Sequence, residues 1–261
     1  MSRRISRTAA DERKVNTLTT KISSVSSETA AVEARRLHRE VLRLAFPAIA
    51  EQLLWTFTQM IVLMNVGHIG PHALAVVGIS NILVWFFSSG FAALGAGATA
   101  IVARAVGAGD EEESGKATRQ ALLVSLVLAL AVVAAVYTQA GALLRLMGLS
   151  LDVIPLGIPY LRFAAAALFF SSLSMAAAAA LRGAGDTKTP LKINTVGALV
   201  NVLLVNLLVF GRLGLPALGL TGAGIALAAY AGVSALLFLL ALVSGRYAVR
   251  LDLRPPFKPN L

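Results

Sequence analysis

Four stretches of this chain, 73–103, 120–144, 193–211 and 213–245, contain no lysine, arginine, aspartate or glutamate, and two more, 44–66 and 153–181, hold one charge each, Glu51 and Arg162. A helix needs roughly 20 apolar residues to cross the hydrocarbon core of a bilayer. Each stretch is long enough, and the longest must tilt, kink or project. Backbone amides in lipid must be satisfied within the segment itself, which leaves helices or closed barrels, and the period-two alternation of a membrane barrel is absent. The prediction is an all-α membrane protein with six transmembrane helices at about Leu44–Val66, Ala73–Arg104, Ala117–Thr138, Val153–Leu181, Pro190–Phe210 and Leu218–Ser244.

Composition agrees: 57% of the residues are hydrophobic and 14% charged, and the mean hydropathy is +0.77. A soluble domain of this size needs more polar surface. The formal net charge of +10 is not spread as in a nucleic-acid-binding protein. Twenty of the 23 lysines and arginines lie in the tail up to Arg43 and in the segments 104–119, 182–192 and 246–258; the intervening breaks hold only Arg145 and Arg212. Basic residues in alternate breaks follow the positive-inside rule, which puts both termini in the cytoplasm. With no aromatic-basic clusters, no nucleic-acid partner is expected.

The absence of cysteine excludes disulfides, thiolate metal sites and cysteine nucleophiles. No P-loop, dinucleotide fingerprint or nucleophile-base set stands in a suitable context, so neither an enzyme nor an ATP-driven pump is expected, and no cofactor. His68 and His72 are too few for a metal site. Residues 1–43 read as a basic cytoplasmic tail, disordered at first, with an amphipathic helix from about Glu28 to Leu44. Residues 44–245 form the six-helix bundle, and 246–261 a basic cytoplasmic segment.

Two breaks carry helix-boundary chemistry. Arg182-Gly-Ala-Gly-Asp186-Thr-Lys-Thr189-Pro190 ends the fourth span on glycines and offers Thr189 as the cap ahead of Pro190. Gly107-Ala-Gly109-Asp110 before Glu111–Glu113 plays the same part, its acids offsetting the dipole of the third helix. Small residues, among them Gly95, Gly97, Ala176–Ala180, Gly222 and Gly224, allow close helix packing in lipid.

These segments also resemble a known family. Pro47-Ala-Ile, Val66-Gly-His-Ile-Gly70 with Ala73-Leu-Ala75, Gly95-Ala-Gly-Ala-Thr99 leading to Val102-Ala-Arg104, the Gly107 and Arg182 loops, and Pro216-Ala-Leu-Gly219 with Thr221-Gly-Ala-Gly-Ile225 are similar, in order and spacing over 41–245, to the multidrug and toxic compound extrusion (MATE) transporters. The resemblance implies one six-helix lobe of a twelve-helix secondary transporter in a bacterial cytoplasmic membrane. It would export amphipathic, often cationic organic compounds in exchange for protons or sodium. Its partner across a central cavity would be a second lobe or another copy, and 246–261 resembles the linker between lobes. A lipid-linked saccharide flippase of the same architecture and a truncated, non-transporting membrane subunit are the alternatives.

Where the family commonly carries an acid in the first span, four residues before Val66, this chain has Val62; where it often carries a second acid or amide four residues after the fifth-span asparagine, here Asn201, it has Val205. Glu51 is then the sole carboxylate within a span and the candidate coupling group. Gln59 and Asn201, with Val62 and Val205 at the family positions, are the candidate cavity-lining residues, and Pro47 is the candidate point of helix bending. The other amides, Gln52, Asn65, Asn81, Asn194 and Asn206, are expected mainly to join helices, and Arg162 to reach toward the outer interface.

Overall fold

The structure, a computed structural model, describes residues 41–42, 45–214 and 216–244. The expected amphipathic helix before Leu44, apart from Val41 and Leu42, and the linker-like segment 246–261 lie outside the described residues. The chain divides into two units, Met1–Phe46 and Pro47–Leu261. Of the first, only Val41, Leu42, Ala45 and Phe46 are described, all helical.

Among the described residues the second unit holds six α-helices: α1 over 47–67, then α2 (Pro71–Gly107), α3 (Glu111–Leu146), α4 (Ile154–Gly183), α5 (Lys188–Phe210) and α6 (Gly219–Val243). The five from α2 onward are each long and apolar enough to cross a membrane. Large apolar side chains such as Trp85, Phe86, Leu130, Leu199 and Leu236 stand exposed on the outside of the bundle. In lipid that is their preferred surroundings, since acyl chains are as apolar as leucine.

The bundle is organised around α4, which packs against α2, α3 and α6, while α6 in turn packs against α5. In its most apolar window α4 is 61% buried, against 22% for α2. Its sequence explains the central place: Ala176–Ala180 are all buried, and side chains this short let neighbouring backbones come close. At one such contact Thr99 of α2 donates its hydroxyl to the carbonyl of Gly95 (2.9 Å) and to that of Ala179 in α4 (3.1 Å). One apolar cluster joins Val66, Val76, Val136, Leu144, Tyr160, Val205, Val209 and Leu220 toward one end of the bundle. A second joins Val102, Leu181, Ile193, Phe238 and Leu242 toward the other.

That second end carries two turns of the same design. After α2, the amide of Asp110 donates to the carbonyl of Ala105 (3.0 Å) around Gly109 at φ +73°. After α4, Asp186 donates to Leu181 (2.9 Å) around Gly185 at φ +82°. A left-handed glycine closes each helix without a Cβ clash, and the aspartate that follows opens the next helix. The Asp110 carboxylate accepts from the amide of Glu113 (2.9 Å), and that of Asp186 from Lys188 (3.1 Å) and Thr189 (3.0 Å). The expectation that Thr189 caps α5 is thereby corrected. A short carboxylate reaches the amides two and three residues ahead, and its negative charge suits the helix dipole better than a hydroxyl does.

A second boundary also differs. The third helix does not stop near Thr138: it bends at Gln139 (φ −110°, ψ 15°) and continues to Leu146. Ala140 and Leu144, one turn apart, are buried in the core and hold these extra turns against the bundle. The loop to α4 is accordingly short and turns at Gly148 (φ +85°).

Candidate functional site

Among the described residues, two groupings bring polar side chains of several helices together, and α1 and α5 contribute to both. The first is a clasp at the end that carries the two glycine-aspartate turns. Arg182, in the last turn of α4, donates from Nη2 to Oε1 of Glu51 in α1 at 2.9 Å. Asn194, on the second turn of α5, donates its Nδ2 to the same oxygen. The clasp ties α1 to both α4 and α5, which hardly touch each other directly. The Glu51 side chain is 18% exposed and that of Arg182 38%, so the pair sits at the rim of the bundle with partial access to its surroundings.

Close packing of α5 on α6 puts Asn194 in place. Gly197, one turn further along α5, faces Ser234 and Tyr230, and a Cβ there would stand 2.8 Å from Tyr230 Cε2 and nearer still to the Ser234 hydroxyl. Only glycine permits that approach.

The second grouping is a small cleft lined by Gln59, Val62 and Leu63 of α1, Val77 and Asn81 of α2, Tyr160 of α4, Asn201 of α5, and Ala223 and Leu227 of α6. It lies about 12 Å along α1 from Glu51, eight residues at 1.5 Å each. Asn201 stands seven residues after Asn194, so one stripe of α5 faces clasp and cleft alike. Asn201 is 1% exposed, and its Oδ1 has no hydrogen-bond partner.

Of the residues singled out from the sequence, Gln59, Val62 and Asn201 thus meet at one cleft. Val205 does not: it is fully buried in the apolar core, one turn beyond Asn201. As valine it packs where a polar side chain would need a partner. Glu51 joins the clasp, and Pro47 is buried.

The remaining amides sort themselves by their bonds. Asn65 donates to the carbonyl of Ile61 and Asn206 to that of Val202, each 2.8 Å away in its own helix. Asn194 serves the clasp. Asn81 lines the cleft rather than only joining helices, and Tyr160 was not singled out at all, because a lone tyrosine in an apolar span reads as packing. Arg162 places its guanidinium 5.1 Å from the ring centre of Tyr137 in α3. That cation–π contact gives it a protein partner in addition to the interface expected for it.

Comparisons with known proteins agree with this architecture. The MatE family model matches residues 47–207. The chain is 28% identical over 230 residues to the probable multidrug resistance protein NorM of Thermotoga maritima, covering 86% of this chain and 48% of that protein. It is 32% identical over 192 residues to the probable multidrug resistance protein NorM of Synechocystis, covering 72% and 41%. A crystal structure described as MATE in the bent conformation superposes with a TM-score of 0.77 at 25% identity, over 85% of this chain and 49% of that one. The chain thus spans about half the length of the relatives it matches. With the family model extending over more than half of its residues, from α1 into α5, this chain belongs to the MatE family, the multidrug and toxic compound extrusion proteins.

Proposed function

We propose that this chain is one lobe of an efflux transporter that carries amphipathic organic compounds out of the cell in exchange for a proton or sodium ion, facing a second six-helix lobe or another copy across a shared cavity. The observation that carries this reading is the cleft itself. Five of the six helices converge on a polar-lined recess near the middle of an otherwise apolar bundle, and such recesses between membrane helices are where transporters hold their cargo. The relatives named as multidrug resistance proteins support the same class of cargo. The flippase alternative calls for cationic cavity residues, and none of the nine residues lining the cleft is basic.

In this reading Glu51 is the coupling carboxylate. The other described acids, Asp110, Glu111, Glu112, Glu113, Asp152 and Asp186, stand in loops or first helical turns. Glu51 alone among them sits on a helix beyond its first turn, at the foot of the helix whose far half lines the cleft. Movement of α1 about Pro47 would separate Glu51 from Arg182 and expose the carboxylate to exchange. The test is retention of a fluorescent amphipathic dye in host cells with and without the chain. Cells lacking it should keep more dye, and restoring it should lower retention; equal retention in both would overturn the reading.

A further inference from the structure

The cleft contains an unmet demand that is more specific than its shape. Asn201 Oδ1 is buried without a donor, and a buried acceptor left unpaired is costly enough that a partner is expected when the site is filled. Nothing that lines the cleft carries a charge: the polar side chains are Gln59, Asn81, Asn201 and Tyr160, and the others are valine, leucine and alanine. The nearest carboxylate along α1, Glu51, is about two turns away and already engaged by Arg182 and Asn194.

Building on the reading of the chain as a transport lobe, we propose that this cleft binds the uncharged hydrogen-bond donor of an amphipathic molecule, a hydroxyl or amide N–H given to Asn201 Oδ1, in preference to an organic cation. An ammonium group could also donate to an amide oxygen. It would have to leave water for a recess that offers no opposite charge, however, and that transfer is far costlier than moving a hydroxyl that gains one bond. Val62, Leu63, Val77 and Leu227 offer the apolar part of the molecule its contact. Val62 is decisive among them, because an acid at that place in α1 would supply the missing counter-charge and reverse the preference.

The experiment uses the full chain in lipid nanodiscs and three dansyl probes on one alkyl skeleton: the alcohol, its methyl ether and its trimethylammonium analogue. Empty nanodiscs correct for partition into lipid. On the unmodified chain the alcohol should bind about 10-fold more tightly than either of the others, the effect of one buried hydrogen bond. Asn201→Leu should abolish the preference for the alcohol over the ether. Val62→Asp should raise binding of the ammonium probe. Equal binding of the alcohol and ammonium probes to the unmodified chain would overturn the proposal, as would an alcohol-to-ether ratio unaffected by Asn201→Leu, or no binding of the alcohol above empty nanodiscs. Dye efflux is scored separately. Its absence with selectivity intact removes the transport reading and leaves the chemistry of the cleft, and efflux without selectivity does the reverse.

Discussion

Arg182 and Glu51, 131 residues apart in the chain, share a 2.9 Å hydrogen-bonded ion pair that ties the last turn of α4 to α1. Because Asn194 uses the same oxygen of Glu51, the carboxylate ties α1 to both α4 and α5 at this end. Removing it should cost more than an ordinary rim charge. We expect Glu51→Leu to lower stability by about 1–3 kcal/mol through the partners left unsatisfied, and Glu51→Gln by less, since an amide oxygen still accepts from Asn194. A double-mutant cycle on Glu51→Gln and Arg182→Gln in detergent should give a coupling of about 1 kcal/mol, as suits a partly exposed pair. Strict additivity would mean that the contact holds nothing together.

The two glycine-aspartate turns should respond alike to the same change. Asp186→Ala removes the acceptor for the amides of Lys188 and Thr189, and Asp110→Ala removes that for Glu113. Each should cost about 1 kcal/mol, the usual effect of losing a helix cap, read as a shift in the thermal unfolding midpoint. Thr189→Val, at the residue expected from the sequence to act as the cap, should cost less than Asp186→Ala.

Gly197 supports the clasp indirectly, by letting α5 settle on α6. Gly197→Val brings side-chain atoms into Tyr230 and Ser234 and should destabilise the bundle by about 1–3 kcal/mol through overpacking. Thermal unfolding of the variant measures this. A neutral result would mean that α5 and α6 have room to separate.

Topology can be read directly because the chain has no cysteine to remove. Single cysteines at Ala108 and Lys188, on the two glycine-aspartate turns, should resist an impermeant reagent applied to intact cells. Cysteines at His72 and Ser150, at the opposite end of the bundle, should react with it. Labelling of Ala108→Cys from outside would reverse the orientation expected from the basic residues.

The spans were legible from the sequence because burial in lipid imposes one requirement on every residue of a helix, and charge-free stretches such as 120–144 show it plainly. The polar end of α3 was not: Gln139 and Arg145 look like a loop until Ala140 and Leu144 are seen to pack into the core. The same limit applies to the candidate site. Gln59, Val62 and Asn201 could be named one at a time by helical spacing and resemblance, and the cleft that gathers them emerged only with the packing of five helices. The partners of Glu51 were hidden altogether, since Arg182 read as a loop cation and Asn194 as one amide among several. No local pattern encodes a contact between residues 51 and 182. Val205, a position chosen by resemblance, lies inside the core one turn beyond Asn201.

Coupled transport is the most direct test of this lobe's function. Everted membrane vesicles from the host cell, with and without the chain, should be loaded under an imposed proton or sodium gradient while uptake of an amphipathic dye is followed. Gradient-dependent accumulation is expected, lost in vesicles lacking the chain and restored by the unmodified protein. Glu51→Gln, expressed and folded to the same level, should fail to restore it, because the amide keeps the shape of the carboxylate and cannot exchange a proton or pair with a cation. Equal accumulation with and without the chain would contradict the transport claim, and full restoration by Glu51→Gln would remove Glu51 from the coupling.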